Sequence, residues 1–257
     1  MILSHRWRFV FIKGRKVAGT SVEMALSTLC GRRDIVTPIT PRDERERLLA
    51  GGVCRNFAID PAEEDAYRRA LADDGIDIDA LPTIPLRRAR FWNHMPLTAV
   101  LALHGRPLTN YRIFAIERSP YSKVLSWANM RASYAEYAAG GAMNATPQAI
   151  AAAVDAGLAD GSITEARNID LYRDSTGKIA VELLRYNELP KSLHDLLQSL
   201  GASPPELPHA KKGLMADSRD PRSLLRAEQI EQINELFDEE FTAFGYPTIE
   251  SKESLRF

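Results

Sequence analysis

This chain of 257 residues has little of several things, and each shortage excludes something. Its two cysteines, Cys30 and Cys54, are too few for a disulfide framework and form no metal-ligand cluster. It has no apolar run long enough to span a bilayer. It lacks an excess of either charge: 33 Lys and Arg stand against 34 Asp and Glu, a net charge of -1. Bulk attraction to nucleic acid or to an anionic membrane is therefore not expected, and any anion must be held by a local basic cluster. Met1 to Arg8 carry no apolar segment and cleavage site of a secretory leader. These absences predict a cytoplasmic protein whose thiols are buried rather than bridged. There is no internal repeat and no low-complexity tract.

What the chain does have begins at residue 8. The short apolar run Phe9 to Ile12 reads as a buried strand, Gly14 to Gly19 as a turn of small and basic residues, and Val22, Ala25, Leu26 and Leu29 recur at helical spacing. A strand, a glycine-containing turn and a helix start make a site for a phosphate-like anion. Backbone N–H groups point outward there, and the helix dipole adds positive charge. Gly19 is expected to let the backbone approach an oxyanion, and Thr20 and Ser21 supply hydroxyl donors where the helix begins.

Gly14 to Ser21 read G-R-K-V-A-G-T-S. The nucleoside-triphosphate loop is G-x-x-x-x-G-K followed by Ser or Thr. Thr20 stands where that lysine belongs, and the loop cations, Arg15 and Lys16, precede the second glycine. Taken alone, the segment is equally well an ordinary strand–turn–helix with solvated basic residues.

A second segment repeats the architecture. Ile113 to Ile116 is another apolar strand, Ser119 a natural N-cap, Pro120 a first-turn residue, and Val124, Leu125 and Ala128 an apolar helix face. Arg118 lies at the strand's end and Ser126 about two turns into the helix. A guanidinium fork and a hydroxyl suit a phosphate monoester. The plain alternative is a surface salt bridge at Arg118 and a neutral Ser126. Strands alternating with helices along the chain predict an α/β fold with a parallel sheet and helices on both sides.

The pair of segments resembles the superfamily of sulfotransferases that use 3′-phosphoadenosine 5′-phosphosulfate (PAPS). Lys16-Val-Ala-Gly-Thr-Ser21 is similar to the family's 5′-phosphosulfate loop. Arg118-Ser-Pro-Tyr-Ser-Lys-Val-Leu-Ser126 is similar to its 3′-phosphate motif, an Arg, an Asp or Asn, a Pro and a later Ser. Leu184-Arg-Tyr-Asn-Glu-Leu189 and Phe237 to Tyr246 resemble its later strand-ending segment and closing helix. The chain departs from the pattern at Arg15 (usually Pro), Val17 (usually a hydroxyl residue), Ser119 and Asn187.

The resemblance implies a single domain over residues 1–257 with a P-loop-type three-layer fold. Variable insertions would fall at about 31–90 and 130–178. It implies a PAPS-dependent enzyme of the bacterial, carbohydrate-type branch, with a saccharide or glycoconjugate hydroxyl as acceptor and no metal. Lys16 would stabilise the leaving phosphate, with Arg15, Ala18, Gly19, Thr20 and Ser21 around the 5′ end of the nucleotide and Arg118 and Ser126 on its 3′-phosphate. Lys211 and Lys212 would close a basic loop over the site.

A base for the acceptor is also needed. His94 lies between the two motifs, where similar enzymes carry a histidine, and imidazole titrates near neutrality. A structural histidine is the competing reading, and Glu23 is the second candidate base. Two other functions stay open at this point. One is a P-loop kinase or hydrolase, for which Glu117 at the end of an apolar strand would be the metal-binding acid. The other is a non-catalytic binder of adenosine phosphates.

Overall fold

The strand at residues 9–12 forms because four consecutive apolar side chains can be buried on both faces of a sheet; Phe9, Val10, Phe11 and Ile12 are all fully buried. Around it the computed structural model describes residues 1–81, 89–207 and 221–250. In chain order the elements begin with β1 (Ile2–Ser4), β2 (Phe9–Ile12), α1 (Gly19–Ser27), β3 (Ile35–Val36), α2 (Pro41–Leu49) and α3 (Pro61–Ala72). Then come α4 (Leu97–His104), β4 (Arg112–Glu117), α5 (Pro120–Ala138) and α6 (Pro147–Asp160). β5 (Glu182–Arg185), α7 (Leu189–Ser199), α8 (Ala227–Leu236) and α9 (Asp238–Phe244) follow. No helix among the described residues is long and apolar enough to cross a membrane.

The fold is α/β, with a five-stranded sheet in the order β3-β1-β2-β4-β5 flanked by helices. The sheet is mixed, which corrects the expectation of a parallel one. β2 and β4 are parallel, with Ile12 opposite Ala115, but β1 is antiparallel to both β2 and β3. The reason is local. Residues 5–8 turn the chain back at once, with Arg8 in the left-handed region (φ 54°), so that Leu3 pairs with Val10 in a hairpin. A parallel neighbour would need a crossover of a dozen residues. β1 spans three residues and β3 two, too short to show any periodicity in the sequence.

The described chain packs as two compact units. The first holds Met1–Gly14, Ala18–Ile116 and the stretch beginning at Asp170, and so carries the sheet. Its centre includes Phe9, Phe11 and Phe114, with ring centroids 5.8 and 5.3 Å from Phe114 to its two partners. The second unit holds Arg15–Val17, Glu117–Ile169 and the helices after residue 221. Its core is made where α5, α6, α8 and α9 bring together Val124, Trp127, Val154, Ile233, Phe237 and Phe241.

The helix expected after Ser119 is α5, starting at Pro120, and α7 is closed by Gly201 at φ 76°. One expectation changes. Ser119 caps α5 by position without a side-chain hydrogen bond, Pro120 supplying the preset first turn instead. The C-terminal stretch is two helices, α8 and α9, broken at Phe237, whose fully buried ring holds the break in the core.

The second unit yields a packing test. A Cβ on Gly157 of α6 would lie 2.3 Å from Trp127 Cη2, a ring edge with nowhere to move in a filled core. Gly157→Ala is expected to lower stability by ~1–3 kcal/mol through overpacking, despite alanine's better helix propensity. Chemical denaturation checks this; a stabilised variant would contradict it.

Candidate functional site

β2 and β4 are neighbours and parallel, so the chain leaves the sheet at two adjacent carboxyl ends, where open α/β sheets hold their ligands. After β2 it turns through residues 13–18 into α1. Lys16 (φ 61°) and Ala18 (φ 58°) both adopt the left-handed region, an uncommon conformation that marks stored strain for residues with a Cβ. Sequence reasoning placed the turn's freedom on glycine and missed both.

Gly19 also makes room inside the fold: a Cβ there would lie 2.6 Å from Lys13 Cγ, against the buried Lys13 stem. At the start of α1, Ala18 provides no side-chain cap and the first turn has no acidic residue. Among the described residues no side chain caps that turn, and Thr20 and Ser21 lie half-buried beside it.

Within the second unit, Arg15 is fixed by its backbone. Its N–H donates to Asn168 Oδ1 at 2.7 Å and its carbonyl accepts from Asn168 Nδ2 at 3.0 Å. Asn168 is buried, and Nδ2 also donates to Glu117 Oε1 at 3.2 Å, the oxygen that accepts the Arg118 N–H at 3.1 Å. Glu117 Oε2 accepts from the buried Lys123 ammonium at 2.9 Å, and Lys123 donates to Glu240 at 2.6 Å. Glu240 Oε1 accepts the backbone N–H groups of Asn168 and Ile169. Burial pushes the Glu117 carboxyl up to about 7, with Glu240 adding to the rise and Lys123 opposing it. No motif assigned a role to Asn168, Lys123 or Glu240: the partners of Asn168 and Glu240 are more than fifty residues away, and Lys123 joins Glu117, six residues before it, to Glu240.

The unit thus brings together four of the expected site residues: Arg15, Lys16, Arg118 and Ser126. Lys16 Nζ donates to Met130 Sδ at 3.3 Å, and Met130 is one helical turn beyond Ser126 on α5. Arg118 is buried and Ser126 half-buried. Ala18, Gly19, Thr20, Ser21 and His94 belong to the sheet unit. Lys211 and Lys212 lie outside the described residues.

In the sheet unit His94 is half-buried with φ 55°, and its Nδ1 lies 3.1 Å from the Lys13 carbonyl. A carbonyl only accepts, so Nδ1 carries the proton and Nε2 holds the lone pair. Burial, and then the Lys13 ammonium, bring the imidazole down to about 3. Glu23, the second candidate base, is corrected by the structure. It is fully buried on α1 and paired with the Met1 α-ammonium, with Lys13 Nζ at 2.7 Å and with Arg47 at 3.7 Å. Burial alone would raise its carboxyl, but these cations together hold it well below the carboxylate range. It is a fixed counter-ion. Glu117 likewise spends both oxygens on protein donors, which makes it a poor metal ligand.

Compared with family models, curated proteins and solved structures, the chain matches none of them.

The lowered value at His94 has a sign that can be tested. A neutral imidazole is favoured in the folded chain, so its contribution to stability is present above about 6.5, the unfolded value, and is lost as pH falls toward 3. By NMR, the His94 ring resonances are expected not to titrate between pH 5 and 8. A midpoint near 6.5 would contradict the burial and the Lys13 contact.

Proposed function

We propose that this chain is a PAPS-dependent sulfotransferase with a P-loop-type three-layer architecture, acting in the cytoplasm on the hydroxyl of a saccharide or glycoconjugate. The observation that carries the reading is the pair of adjacent, parallel strand ends. One runs into Arg15, Lys16 and an uncapped helix start, the other into Arg118 and the helix bearing Ser126. Two anion sites of this kind suit a nucleotide with phosphates at both ends.

The residues fit that ligand. First-turn amides of α1, which no side chain among the described residues caps, with Ala18, Gly19, Thr20 and Ser21 around them, take the 5′-phosphate, assisted by Arg15 and Lys16. Arg118 and Ser126 take the 3′-phosphate. When bound, PAPS supplies the activated sulfuryl group. In this reading the Lys16 ammonium would stabilise the charge that grows on the leaving phosphate oxygen as the S–O bond breaks, a contact worth more in the transition state than in the ground state. His94 Nε2 accepts the proton of the acceptor hydroxyl, its ring oriented by the bond from Nδ1 to the Lys13 carbonyl. No metal takes part in this reading.

The low basicity of His94 favours one second reading, a protein that binds adenosine phosphates without turnover. The kinase reading lacks its lysine at position 20 and has its acid, Glu117, engaged in buried pairs.

Lys16→Ala is expected to lower kcat ~10²-fold or more with little change in affinity for adenosine 3′,5′-bisphosphate (PAP). Steady-state kinetics over a panel of saccharide acceptors checks this. An effect on KM alone would make Lys16 a binding residue, and absence of turnover with every acceptor would favour the non-catalytic reading.

A further inference from the structure

Asn168 bonds to Arg15 through both ends of its side-chain amide, and its Nδ2 shares Glu117 Oε1 with the Arg118 N–H. The chain of contacts runs from the turn that carries Lys16 to the residue that carries the second guanidinium, in three hydrogen bonds within one unit. The backbone of Asn168 is itself fixed, because its N–H and that of Ile169 end on Glu240 Oε1. Glu240 is in turn held by Lys123, which also holds Glu117. Every member of this chain other than Arg15 is buried. Such a fully partnered polar network is rigid and specifies one arrangement of the groups it joins.

We propose that Asn168 is a positioning residue that sets the spacing between the Arg15–Lys16 turn and Arg118, so that the site selects ligands by the distance between two phosphates. The proposal rests on the sulfotransferase reading for the identity of the ligand. Its physical content is separate: the two segments are coupled through one side chain. A ligand that engages both segments gains from their fixed spacing, because the second contact is intramolecular. A ligand that engages one segment gains nothing from it.

The test compares three probes by calorimetry: PAP, adenosine 5′-monophosphate and adenosine 3′-monophosphate. Asn168→Ala is expected to weaken PAP at least ~10-fold, the loss of effective concentration on uncoupling, while either monophosphate changes less than about threefold. Equal weakening of all three, or no change in any, would overturn the role in spacing. Asn168→Asp guards against a failure of the alanine variant to fold. It is nearly the same shape and keeps the acceptor for the Arg15 N–H, but at pH 8 it replaces the shared donor by a carboxylate facing Glu117. The same pattern is expected of it.

Amide exchange in the ligand-free chain is the second readout. In either variant the Arg15 and Arg118 amides are expected to lose protection together, while amides in the middle of α6 keep theirs. Loss at Arg15 alone would overturn the coupling. If wild-type chain shows no preference for PAP over the monophosphates, the sulfotransferase reading fails, and the exchange result alone then decides whether Asn168 couples the two segments.

Discussion

The Lys123 ammonium is buried between two carboxylates, and much of the second unit is arranged to make that tolerable. A charge removed from water costs several kcal/mol unless its partners are close and their remaining lone pairs are satisfied. Here they are. The second oxygen of Glu117 accepts from Asn168 and Arg118, and that of Glu240 accepts from two backbone amides. Burial, with the Glu240 carboxyl adding to it, still pushes Glu117 up to about 7 against the pull of the Lys123 ammonium. Through this cluster the end of β4, the start of α9 and the turn at Arg15 are fixed by one another. Weak local preferences alone would not hold a turn with left-handed Lys16 and Ala18.

The sheet unit uses the same device with the signs reversed. One buried carboxylate, Glu23, gathers the Met1 α-ammonium, Lys13 and Arg47. Lys13 then acts in three ways. Its stem fills the space Gly19 leaves, its carbonyl orients His94, and its ammonium adds to burial in keeping that imidazole neutral. A residue next to the expected site thus shapes it without belonging to any motif.

These two clusters show what could be read from the sequence and what could not. The strands at 9–12 and 112–117 and the helices after them were legible, because burial imposes a period on apolar residues and Pro120 announces a helix start. The basic residues Arg15, Lys16 and Arg118 were legible as candidates because they sit at such junctions. The hairpin of β1 was not, since three residues carry no period. Nor was Asn168, whose role depends on partners more than fifty residues away in either direction. Glu23 misled for a related reason: helical position alone does not say whether a carboxylate faces water or three cations. His94 was legible as a residue but not as an acid, because its burial and its neighbour Lys13 set its ionisation.

The proposed function requires a preference for a nucleotide with two separated phosphates and no triphosphate. Calorimetry of the wild-type chain with PAP, against ATP with magnesium in the same buffer, measures that preference directly. PAP is expected to bind at least ~10-fold more tightly, a difference of about 1.4 kcal/mol or more. Tighter binding of magnesium-ATP, or no binding of PAP, would contradict it.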